Sequence, residues 1–177
     1  MSLYFPELDE RTRRLMLAEL EYDIGRNQLH ISPYLSLQGQ RDYPNLLRQA
    51  IERGDETTLA EELRALRRIG RTGHRRNPAG GYTIVTLPAT AAETLAEDAF
   101  NRYYIRAICR RALEEGVEEL IVYRAKPAAE PRPRSEELVE TTVDPAALLH
   151  DLRERPAEEQ EIGVPGGPNS GISVRFP

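Results

Sequence analysis

Apolar positions recur at helical spacing through the first 70 residues. Met16, Leu20 and Ile24 repeat every fourth position with Leu17 beside them, which predicts a helix capped by Asp9 and ended by Gly25. Asn27 to Gln40 is irregular, with Pro33 and Gly39. It carries Leu29, Ile31, Tyr34, Leu35 and Leu37, so it is expected to lie on the core. Asp42-Tyr43-Pro44 reads as a second helix start, with proline in the first turn where its missing N–H costs nothing. Leu46, Leu47, Ala50 and Ile51 supply its apolar face up to Gly54. Asp55 opens a third helix whose stripe is Leu59, Leu63, Leu66 and Ile69, closed by Gly70.

The texture then changes. Residues 70–81 are basic, rich in glycine and almost without an apolar anchor, which predicts an exposed loop. Tyr82 to Leu87 mixes bulky and β-branched side chains and reads as a strand. Thr90-Ala91-Ala92-Glu93 has capping-box spacing and opens a long helix to about Glu115, ended by Gly116. Its stripe is Ala96, Phe100, Tyr104, Ile108 and Ala112, flanked by Ile105 and Cys109. Glu119 to Ala125 is a further strand. The order strand, long helix, strand predicts a right-handed crossover between parallel strands, a β-α-β unit.

Beyond Lys126, Pro127, Pro131 and Pro133 mark an extended strap. Asp144-Pro145 starts a short helix that buries Leu148, Leu149 and Leu152, 163–171 is loop, and Ile172 to Phe176 is a last strand. A small sheet needs a third strand, so this one is expected to complete it. The fold class expected is α+β (or α/β). Residues 1–126 form a helical segment plus the β-α-β core, and 127–177 form a proline- and glycine-rich strap packed on the same domain.

Composition narrows the reading. With 177 residues, 40% hydrophobic and 30% charged, the chain has enough apolar surface to fold. No apolar run approaches the roughly 18 residues of a membrane helix, and no basic segment followed by an apolar one opens the chain. No membrane contact is expected, and the cytoplasm is the expected compartment. One cysteine, Cys109, excludes an intrachain disulfide, and its place beside the apolar stripe makes it a core residue. The net charge is −5, and residues 127–177, with 5 basic and 10 acidic side chains, hold the deficit. That balance excludes a globally basic nucleic-acid binder.

Two arginine clusters stand out. Arg102, Arg106 and Arg110 form one row on the long helix, either as a solvated face or as a track for phosphates. Arg64, Arg67, Arg68, Arg71, Arg75 and Arg76, with His74, end the third helix and fill the loop, a footprint for an acidic partner surface or nucleic acid. No catalytic constellation appears. His30, His74 and His150 lie far apart, and adjacent glutamates such as Glu61-Glu62 do not face each other on a helix. Neither glycine-rich stretch has phosphate-loop spacing. No enzyme activity, cofactor or metal is expected.

Tyr4-Phe5-Pro6-Glu7-Leu8-Asp9, Phe100-Asn-Arg-Tyr-Tyr-Ile-Arg-Ala-Ile-Cys-Arg-Arg-Ala, Val122-Tyr-Arg-Ala-Lys, Pro131-Arg-Pro-Arg-Ser-Glu and Gly167-Pro-Asn-Ser-Gly-Ile-Ser-Val-Arg, taken together, resemble an uncharacterised family encoded in prophages and phage-like gene clusters. The resemblance spans nearly the whole chain and implies a phage-particle or accessory role. It carries no activity and no functional residues with it. The expected function is a non-enzymatic structural or assembly protein of a phage-like particle. It would act through contacts with other subunits as a homo- or hetero-oligomer, in the cytoplasm or in the particle. The arginine loop would then face an acidic surface or packaged DNA. The alternative is a small nucleic-acid-binding regulator using the Arg64 to Arg76 cluster.

Overall fold

The computed structural model describes residues 2–127, 132–155 and 160–177, with Arg75 and Arg76 described through their backbone alone. Pro131 of the expected strap falls outside these residues. Helix α1 (Glu10–Gly25) starts where Asp9 accepts the Thr12 N–H at 2.8 Å. Helix α2 (Leu37–Arg53) starts earlier than the pattern predicts. Ser36 accepts the Gly39 N–H at 3.1 Å, so Pro44 sits inside the helix and not in its first turn. Helix α3 (Glu56–Arg64) holds a capping box, Asp55 with Thr58. The chain then makes a single 3-10 turn, Ala65–Arg67.

The strands depart further from the expectation. β1 (Thr72–Arg76) lies within the segment read as a loop. It pairs antiparallel with β2 (Tyr82–Thr86) over five positions, from Thr72↔Thr86 to Arg76↔Tyr82. The turn explains this. The Asn77 side chain accepts the Gly81 N–H at 2.8 Å, the two backbones exchange a further bond, and Gly80 takes a φ of +84° that a side chain would resist. Local turn chemistry therefore claims β2 for a hairpin, and cross-strand pairing overrides the weak strand propensity of Thr-Gly-His-Arg-Arg.

The long helix α4 (Ala91–Glu115) matches its predicted span, and Gly116 ends it in the left-handed conformation. Its start differs: Thr90 has φ −89° and ψ 9°, away from the extended backbone that a capping side chain needs, and makes no cap bond. Glu93 turns instead to Arg64 at 2.9 Å.

β3 (Leu120–Arg124) pairs with β4 (Thr142–Val143) and with β5 (Ile172–Arg175), antiparallel on both sides, in the order β4-β3-β5. Both edges of β3 are thus taken, and β2 belongs to a different sheet. The parallel crossover is not formed, whereas the last strand does complete the sheet. Between them lie α5 (Pro133–Leu138) and α6 (Pro145–Glu154), the latter capped by Asp144 to the Ala147 N–H at 2.6 Å. Six helices and two small antiparallel sheets among the described residues make an α+β fold. None of these helices is long and apolar enough to cross a membrane.

α4 is the axis of the core. It packs against α1, α3 and α6 and touches β5. The predicted stripe is buried, but so is every residue from Tyr103 to Ile108 and on to Cys109, nearly two full turns. A helix enclosed on all sides has no solvent face there. The other face of the β3 sheet is covered by the N-terminal segment. The Tyr4 N–H donates to the Ala125 carbonyl at 2.9 Å, and the Tyr123 hydroxyl donates to the Tyr4 carbonyl. Phe5 packs on Phe100 and Tyr104 at ring separations of 5.5 and 4.5 Å. Glu7 ties the two termini to α4: it accepts from the Tyr104 hydroxyl at 2.6 Å and from the Phe176 N–H at 3.3 Å.

Candidate interaction site

The ten candidate residues divide into two groups. The row on α4 is an interior structure. Arg106, 1% exposed, is held between Glu19 and Asp23 of α1: Nε to Glu19 Oε2 at 2.9 Å, Nη1 to Asp23 Oδ2 at 2.6 Å and Nη2 to Asp23 Oδ1 at 2.9 Å. The Tyr103 hydroxyl donates to Asp23 at 2.8 Å, and Arg153 from α6 makes two bonds to Glu19 at 2.9 and 2.5 Å. Arg110 reaches Glu19 at 3.4 Å, and Arg102 donates to the carbonyls of Leu152 and Arg155 at 2.6 and 3.1 Å. The row therefore joins α4 to α1 and α6: Arg106 is sealed inside, Arg102 is half-buried, and Arg110 keeps 32% of its side chain exposed and also meets Glu114 at 3.9 Å. A stripe of charge at four-residue spacing looks exposed only if the opposite face alone is buried, and here α4 is enclosed.

Burial alone would raise the Glu19 carboxyl, but hydrogen bonds from Arg153 and the Arg106 charge outweigh it and hold the group below its usual range. Its stabilisation is complete above the ordinary carboxylate value and is lost as the pH falls through its lower folded value. Glu56 is the opposite case. Burial pushes it up, and bonds from the N–H groups of Glu56 itself and Leu3 only partly offset this. The unfolded chain ionises there first as the pH rises, so stability is lost between the ordinary and the folded values. Thermal melts should therefore show Glu19→Gln destabilised at pH 7 with a flattened acid limb. Glu56→Gln, which keeps an acceptor for Leu3, should melt higher than the parent at pH 7.

The second cluster sits at the far end of α3. Arg68 is a staple: buried, it donates to Asp42 at 2.7 Å and to the Glu62 carboxylate and carbonyl at 2.9 and 2.7 Å. Arg64 pairs with Glu93. Arg67, Arg71 and His74 are exposed and make no ion pair among the described residues. Arg75 and Arg76 lie on β1, opposite Thr83 and Tyr82 in the register.

The expected helical stripe also breaks here. α3 stops at Arg64, and Leu66 and Arg67 take positive φ values of 52° and 54°. This turn brings 68–70 antiparallel to 34–36. Leu35 bridges Ile69, the Ser36 N–H donates to the Arg68 carbonyl and the Gly70 N–H to the Tyr34 carbonyl, each at 2.8 Å. Leu66 consequently points out of the fold. Leu37 and Leu66, which flank this junction, are each 74% exposed. On the hairpin, Tyr82 and Ile84 are 72% and 68% exposed, against the expectation of a core strand.

One compositional signal marks this region, and no motif does. Residues 63–92 contain six of the chain's 24 basic side chains and none of its 29 acidic ones. The hairpin and its root are thus a cationic, partly apolar projection on an otherwise acidic protein.

Cys109 is fully buried, and burial pushes its thiol well above a nucleophile's range. His150 is exposed on α6. Among the described residues no three His, Cys, Asp or Glu side chains group as metal ligands. No family model, no curated protein and no solved structure matches the chain.

Proposed function

We propose that the chain is a non-enzymatic structural or assembly protein of a phage-like particle, acting through protein–protein contacts in a homo- or hetero-oligomer. The particle setting rests on the phrases that resemble the prophage family. The mode of action rests on one observation: Leu37 and Leu66 stand outside the fold at the root of the hairpin. Two consecutive residues in the left-handed region are strained, and the docking of Leu35 against Ile69 holds that strain in place. Burying each leucine against a partner is worth roughly 1.5–3 kcal/mol.

Light scattering on the purified protein, alone and with particle components, tests this reading. An assembly larger than the 20.1 kDa chain is expected. Leu37→Ser/Leu66→Ser should dissociate it while leaving the melting temperature nearly unchanged. A strict monomer that ignores the particle components would remove the reading.

A further inference from the structure

We infer that the β1–β2 hairpin is a cationic ribbon that binds double-stranded nucleic acid through its phosphate backbone, with Arg67 and Arg71 as contacts at its root. This goes beyond the assembly reading and does not depend on it, since different side chains serve the two.

Charge distribution carries the inference. A 30-residue stretch with six arginines and no carboxylate is set in a chain of net charge −5, and of the six only Arg64 and Arg68 are seen to be answered by carboxylates from elsewhere, Glu93, Asp42 and Glu62. The arginines elsewhere in the fold largely answer carboxylates or carbonyls of their own chain, as Arg106, Arg102 and Arg153 do. Arg67 and Arg71 have no such partner among the described residues. A field of one sign, uninterrupted along the chain, suits a uniform polyanion. A protein interface would instead thin its charge toward the centre.

Shape agrees with charge. Among the described residues no helix and no strand of the β3 sheet packs extensively on the hairpin, so it projects as a two-stranded ribbon. Its strands, about 4.8 Å apart, fit a major groove about 12 Å wide. The five paired positions extend about 17 Å, enough to follow the groove past several phosphates. Tyr82 and Ile84, exposed on β2, supply apolar contact with base edges or sugars.

The test is fluorescence anisotropy of a labelled 30-base-pair duplex of arbitrary sequence with the full chain. Binding at 50 mM salt is expected. With roughly four phosphate contacts, affinity should fall about a hundredfold by 200 mM. Arg67→Glu/Arg71→Glu replaces exposed side chains and should melt like the parent. It should weaken binding at 50 mM salt by at least tenfold and reduce the salt slope by about two.

Three outcomes would overturn the inference: no binding at 50 mM salt, binding unaffected by the double charge reversal, or displacement of the duplex by polyglutamate as effectively as by unlabelled duplex. The last would reassign the ribbon to an acidic protein surface. Light scattering on the same samples separates the two readings. An assembling protein that ignores the duplex removes only this inference, and a monomer that binds the duplex removes only the assembly reading.

Discussion

Arg106→Ala is expected to lose about 3–5 kcal/mol of stability, the largest effect of any substitution considered, because it leaves two carboxylates facing each other in the interior without their cation. Glu19 and Asp23 are both buried, and the guanidinium meets each within 2.9 Å. Arg153 retains its bonds to Glu19, so the damage falls chiefly on Asp23, where the Tyr103 hydroxyl would remain as a donor. Urea denaturation would measure the loss. The companion experiment replaces all three groups together, Arg106→Met with Glu19→Leu and Asp23→Leu. Removing the three eliminates their desolvation cost along with the attraction, but Arg153 and the Tyr103 hydroxyl lose their acceptors, so the triple variant should recover part of the stability lost by the single one. Similar stability of the single variant and the parent would show that the network is not what joins α1 to α4.

Gly39→Ala should destabilise the protein although it places a better helix former in α2. The helix gains about 1 kcal/mol from the exchange. A Cβ at this position, however, would lie 2.1 Å from the Arg68 carbonyl oxygen and 2.9 Å from its carbon. Both are backbone atoms of a junction held by hydrogen bonds on either side, so they cannot swing aside. Overpacking of this kind costs about 1–3 kcal/mol or more. The expected result is a net loss confined to the root of the hairpin. Hydrogen exchange should quicken at the Ser36 and Gly70 amides and stay unchanged in the middle of α4. A variant as stable as the parent would mean that the two segments are not locked together.

Much of the helical framework was legible from the sequence, because caps and apolar periods are local. Asp9, Gly54, Asp55, Asp144 and Gly116 mark true boundaries. The errors share a cause: a non-local partner decided the outcome. Pro44 suggested a helix start, but Ser36 caps α2 seven residues upstream of the predicted Tyr43-Pro44 turn. Leu66 fits the α3 period, but the bridge between Leu35 and Ile69 ends the helix first. β2 was assigned to a parallel crossover because β1, with its two arginines and a glycine, does not look like a strand until it is paired.

The candidate site was half legible. The Arg64 to Arg76 cluster is visible as charge, yet sequence alone does not separate Arg68, which is a structural staple, from Arg67 and Arg71, which face outward. For the row of Arg102, Arg106 and Arg110 the limit is a different one. Helical spacing tells which residues share a face, but not how many neighbours enclose the helix. The absence of carboxylates from 63–92 is the plainest sequence signal of the projection, and it emerges only when charge is counted by segment.

Glu7 joins the first and last segments at the wall of α4. During synthesis the ribosome would release α1 through α4 well before β5, leaving β3 with one edge open and Phe176 still undelivered. Native closure would therefore wait for the final residues of this stretch, and the nascent chain would carry an incomplete sheet beside an already formed helical half.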